Sequence, residues 1–199
     1  MKTIGLIGGM SYSSTIIYYE QLNKLSNEYF GNLTTPKIIL SSVNFSLIEA
    51  LQHDGNWDEL GHILNEEAKR LEQAGADVLA LCTNTMHKVS DIMLENISIP
   101  FFHIAESTAK QIVDDGYKKP ALLATRFTME EEFYVSKLDE YGLSPIIPSE
   151  NSREILHSVI YDELCFNVTS AASRDKFIDI AIEVQNNGAD SVILGCTEV

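Results

Sequence analysis

"GADVLALCTNT" occupies residues 75–85, and "GADSVILGCTEV" occupies residues 188–199. Each is a glycine-led turn, a short apolar run and a cysteine followed by threonine. A glycine just past a helical pattern stops the helix, and a run of four to eight apolar residues after it reads as a buried strand. The preceding stretches, "AKRLEQ" and "AIEVQNN", are helical in character. Both places therefore spell helix, turn, strand, thiol. Cys82 and Cys196 lie 114 positions apart while Gly75 and Gly188 lie 113 apart, so the second copy carries one extra residue. Such self-similarity predicts two related α/β lobes.

The rest of the chain follows the same plan. "TIGLIGG" (3–9), "PKIILSSV" (36–43), "ADVLALC" (76–82) and "IPFFHI" (99–104) read as strands. "STIIYYEQLNKLSNEYF" (14–30), "WDELGHILNEEAKRLEQAG" (57–75), "TMHKVSDIML" (85–94) and "ESTAKQIVDDG" (106–116) read as helices. From residue 120 the pattern restarts. "PALLATRFTMEEEFYVSKLDEYG" (120–142) matches the opening strand, turn and helix, and "SPIIPSENSREILHSVIYDEL" (144–164) matches "PKIILSSVNFSLIEALQ" (36–52). Strands alternating with helices predict parallel sheets in an N-terminal lobe, 1–116, and a C-terminal lobe, 117–199.

Composition narrows the function. With 45% hydrophobic residues in 199, the chain can build a real core. A net charge of −15, from 29 acidic against 14 basic residues, argues against nucleic acid and anionic membrane surfaces as partners. No apolar run approaches the roughly 20 residues that span a bilayer. "MKTIGLIGGMS" reads as a first strand and its turn rather than a signal peptide, so a cytoplasmic location is expected. The three cysteines, Cys82, Cys165 and Cys196, show no CxxC spacing, which predicts neither a disulfide framework nor a metal site.

In open α/β sheets, ligands sit beyond the carboxyl ends of the strands. If the lobes face each other, both thiols border one crevice and approach a small molecule from opposite sides. Thr83, Asn84 and Thr85 can cap the following helix, whose positive end would attract a carboxylate and pull the Cys82 pKa below about 8.5. The same triplet can equally be a helix cap and nothing more. Gly5, Gly8 and Gly9 in "GLIGGM" lack the GxGxxG order of a dinucleotide site and read as close backbone approach to a small ligand. His87 is expected to be an exposed helix residue, and His103 a satisfied core histidine. Cys165 and Met86 read as packing. Glu130, Glu131 and Glu132 suit a helix start.

Taken together, "IGLIGGMSYSSTIIYY" (4–19), "LCTNTMHK" (81–88), "ATRFTMEEEFY" (124–134) and "LGCTEV" (194–199) resemble the aspartate/glutamate racemase family, and its broad amino-acid racemase subgroup in particular. The resemblance implies two Rossmann-like lobes with pseudo-twofold symmetry, a cleft between them, no cofactor and a homodimer. It implies stereoinversion of a small amino acid with Cys82 and Cys196 as the acid/base pair. Met10, Ser11, Gln52, Thr83, Asn84, Thr85, Thr125 and Thr197 would line the substrate. Chemistry agrees: inversion by proton transfer needs a base on one face of the α-carbon and an acid on the other.

Some positions depart from the family pattern. Aspartate-selective members hold the second carboxylate with basic side chains near positions 47–49 and 164–165, and here those stretches contain no Lys or Arg. Arg126 is either a substitute cation or a surface residue. Ala124 stands where the family has glycine, and the resemblance implies a further helix after Val199. Two alternatives stay open: a related cysteine-dependent decarboxylase or isomerase, and a catalytically impaired amino-acid-binding protein.

Overall fold

The computed structural model describes residues 1–199, which divide into two compact units, Met1–His103 and Ile104–Val199. In the first unit, β1 (Thr3–Gly8), β2 (Lys37–Ser42), β3 (Val78–Leu81) and β4 (Phe101–Phe102) form a parallel sheet in the order β2-β1-β3-β4. Helix α1 (Tyr12–Phe30) follows β1, and α2 (Phe45–His53) and α3 (Trp57–Gln73) follow β2. Leu60, Leu64, Ala68 and Leu71 recur at helical spacing along α3 and join Ile7, Leu79 and Leu81 in one buried cluster. On the sheet's other face, Ile4, Leu6, Val78, Ala80 and Phe102 line an apolar groove of about 880 Å³ with residues of α1.

The second unit begins with α5 (Ile104–Asp114), which packs through Ala105, Ala109 and Ile112 into the same core as β5 (Pro120–Leu123). This packing is why the division falls before residue 104, whereas the sequence pattern alone places that helix in a first lobe of 1–116. Strand β5 pairs in parallel with β6 (Ser191–Leu194), and Ala121 makes a parallel bridge with Ile146. All four residues of β5 are buried, covered by α7 (Glu132–Glu140), α8 (Glu150–Asp162) and α9 (Ala171–Asn186) through Tyr134, Leu138, Leu156, Ile180 and Val184.

Duplication is visible in the hydrogen bonds. Gly75 and Gly188 have φ of 92° and 97°, a region that favours glycine and ends α3 and α9 alike. The next amide returns to the helix in both copies, Ala76 to the Leu71 carbonyl and Ala189 to that of Val184, each 3.0 Å. The aspartate then ties its strand to the neighbouring one. Asp77 accepts from the Thr3 amide at 2.6 Å, and Asp190 accepts from the amides of Lys118 and Lys119 at 2.8 and 3.0 Å.

Candidate active site

Each unit assembles one group of the residues singled out from the sequence. In the first, the ends of β1 and β3 carry Met10, Ser11, Cys82, Thr83, Asn84 and Thr85, while α2 contributes Gln52. All seven side chains are buried. Gly9, with φ of 89°, makes the turn after β1, where a Cβ would come within 2.6 Å of the Val43 carbonyl oxygen. Its amide donates to Thr15 Oγ1 at 2.8 Å, and Ser11 caps α1 by accepting from the Ser14 amide. The Gln52 amide nitrogen lies 3.0 Å from Met86 Sδ, which fixes that side chain beside the segment after β3.

In the second unit, Thr125 stands at the end of β5 and caps α6 (Arg126–Glu130) by accepting from the Thr128 amide, as Ser11 does in the first. Cys196 and Thr197 follow β6, the neighbour of β5. Cys196 Sγ donates to Glu198 Oε2 at 3.0 Å. Arg126 is not buried at a binding position. Its Nε lies 3.7 Å from Glu130 Oε2, and its side chain is about half exposed.

The strand ladders explain the single inserted residue. The Cys82 amide donates to the Ile7 carbonyl at 2.9 Å, so Cys82 extends the ladder by one bond beyond β3. At the matching place in the second unit the donor is Gly195, 2.8 Å from the Leu123 carbonyl. Cys196 thus sits one residue past the position that Cys82 holds. A Cβ on Gly195 would meet Leu122 Cδ1 at 2.8 Å and Ala124 Cβ at 2.9 Å, so the close approach needs glycine.

Cys82 and its neighbours depart from expectation. Residues Thr85–Val89 form a 3₁₀ helix that runs directly into the four-residue α4 (Ser90–Met93), so the segment expected as a helix over 85–94 is helical but opens as 3₁₀ rather than as a regular α-helix. Without a regular helix whose N–H groups point at the sulfur, burial dominates and pushes the Cys82 thiol up to about 12. Burial, then the Glu198 carboxylate, likewise raises Cys196 well above its ordinary value. Both groups rest as thiols near neutrality. The triplet also does not cap a helix through Asn84: its Oδ1 is buried and accepts no hydrogen bond.

His87 departs from expectation as well. Its side chain is 1% exposed rather than on the surface. Ring Nδ1 lies 2.9 Å from the Thr83 carbonyl oxygen and 3.3 Å from that of Asn84. The ring packs edge-on against His103 with centroids 4.5 Å apart, and lies tilted against Phe101 at 5.5 Å. Nothing in the local sequence marks this role, because a histidine five residues past a strand end is as compatible with a surface turn as with a buried tie.

Residues 7–199 match the family model described as Asp/Glu/Hydantoin racemase. Among solved structures, a Yersinia pestis protein provisionally described as an Asp/Glu racemase is 43% identical with a TM-score of 0.91, covering 100% of this chain and 86% of its own. PH1733 of Pyrococcus horikoshii, an aspartate racemase homologue, is 36% identical with a TM-score of 0.82 over the same shares. The broad-specificity amino-acid racemase RacX of Bacillus subtilis is 23% identical over 98% of this chain and 85% of its own length.

Proposed function

The chain belongs to the Asp/Glu/Hydantoin racemase family and is an isomerase of the racemase type; from that premise we propose that it interconverts the L and D forms of an amino acid without a cofactor, using Cys82 and Cys196. The observation that carries this reading is the paired occurrence of a cysteine just beyond the equivalent strand of each unit, β3 and β6. Two-base inversion needs one thiolate and one thiol on opposite faces of one α-carbon. The thiolate takes the α-proton and becomes a thiol. The opposite thiol gives its proton to the carbanion and becomes a thiolate.

Neither sulfur is a ready base in the resting protein, so the first deprotonation, with release of that proton to solvent, is assigned to substrate binding. An α-ammonium group brought into a desolvated site favours a nearby thiolate. The unfilled acceptor of Asn84, Oδ1, suits that ammonium. Hydroxyl and amide donors of Thr83, Thr85, Thr125 and Thr197 are assigned to the substrate carboxylate, where negative charge grows as the proton leaves. Leu47 is 62% exposed and no Lys or Arg occurs at 47–49 or 164–165, which favours substrates lacking a second carboxylate.

The test is to incubate L-alanine, L-serine, L-glutamate and L-aspartate separately in D2O, following optical rotation and deuterium at the α-carbon. A racemase gives both signals with at least one of these, most strongly with a neutral side chain. Cys82→Ser and Cys196→Ser are each expected to lower kcat by about 10³-fold or more. Full activity in either variant rejects the two-cysteine assignment. Deuterium incorporation with carbon dioxide release and a single essential thiol would instead identify a decarboxylase.

A further inference from the structure

We infer that His87 is a positioning residue for the reaction: its Nδ1–H holds the carbonyl oxygens of Thr83 and Asn84 and so fixes the turn that carries Cys82 and the polar triplet. The inference rests on the assignment of Cys82 above, and it concerns a side chain to which that mechanism gives no part. Carbonyl oxygens only accept hydrogen bonds, so with two of them at 2.9 and 3.3 Å the ring proton must be on Nδ1. Burial, reinforced by the neighbouring His103, pushes the His87 pKa down to about 3, leaving a neutral ring with one N–H. The main-chain amide of His87 also donates to the Asn84 carbonyl, at 3.1 Å. One residue therefore grips the turn twice.

This arrangement does what a helix cap was expected to do. The four-residue α4 is too short to organise the segment after β3, and the Asn84 side chain does not cap it. A shift of about 1 Å in a reacting group can cost 10²-fold in rate, so losing the tie should fall on kcat. A substrate held by several other contacts should keep its KM.

The experiment compares His87→Asn, His87→Gln and His87→Leu. The amide nitrogen of asparagine falls near the Nδ1 position, whereas that of glutamine falls near Nε2. On whichever substrate of the D2O panel is turned over, His87→Leu and His87→Gln are expected to lose about 10²-fold in kcat with KM within about threefold. His87→Asn is expected to stay within about fivefold of the parent. In parallel, iodoacetamide labelling resolved by mass spectrometry should show Cys82 reacting about tenfold faster in the Leu variant, with Cys196 unchanged as the internal control.

Full kcat in His87→Leu alongside an inactive Cys82→Ser overturns this inference alone. An active Cys82→Ser overturns the functional reading and this inference together. Equal losses in the Asn and Leu variants, at equal melting temperature, show that the Nδ1 donor is not what matters. If the variants do not fold, ¹⁵N NMR of the unmodified protein decides: the expected spectrum is a neutral Nδ1–H ring at pH 7, and an Nε2–H ring overturns the assignment.

Discussion

Cys82 and His87 are five residues apart and both fully buried, and their titrations should bracket the stability of the protein from opposite sides. For His87 the folded pKa is depressed, so below its ordinary value of 6.5 the unfolded chain takes up a proton that the folded state refuses. Its contribution is complete above pH 6.5 and lost as the pH falls toward 3, on the order of 5 kcal/mol. Urea titrations across that range should show the slope, and His87→Asn should flatten it. For Cys82 the folded pKa is raised, so the unfolded chain loses a proton first. Stability is complete below about pH 8.5 and declines as the pH rises toward 12. Alkylation of Cys82 at pH 7 should accordingly be slow, and should rise about tenfold per pH unit until the pH approaches 12. The sequence made Cys82 conspicuous because its neighbourhood is repeated, but its protonation state was not legible, since burial is a property of the packed chain. His87 was missed for the same reason.

At the scale of elements, Gly195 is where strand and site meet. Gly195→Ala should destabilise the protein by about 1–3 kcal/mol, because Ala124 Cβ is fixed to the backbone and cannot yield. Denaturant midpoints measure that cost, and kcat should fall further than stability explains because Cys196 is the next residue. Strands with unbroken apolar runs, β1, β2, β3, β5 and β6, were readable from the sequence. The extents of two other stretches were not. Proline has no N–H to give a ladder, and the expected strand over 99–104 shrinks to Phe101–Phe102 just after Pro100. Between Pro145 and Pro148 the counterpart of β2 is reduced to the single bridge at Ile146. The helix expected over 85–94 opens as 3₁₀, with the His87 amide bonded to the Asn84 carbonyl and the His87 ring on the carbonyls of Thr83 and Asn84.

For the molecule as a whole, the excess of acidic groups is a standing repulsion. Raising ionic strength from about 10 to 150 mM shortens its range to about 8 Å, and Tm should rise by roughly 2–4 °C; an unchanged or lower Tm would show that local ion pairs outweigh the net charge of −15. Two-unit organisation was legible because the Gly-Ala-Asp turns recur and perform the same backbone duty in each copy. The boundary was not, since only packing shows that α5 belongs with the second core. The copies also differ where chemistry is assigned, because the ladder reaches Cys82 but stops one residue short of Cys196. Mirror-image substrates have equal free energy in water, so kcat/KM must be identical for the two directions of any racemase. Unequal sulfurs can then express themselves only as a faster turnover for one enantiomer, offset in the same ratio by weaker saturation.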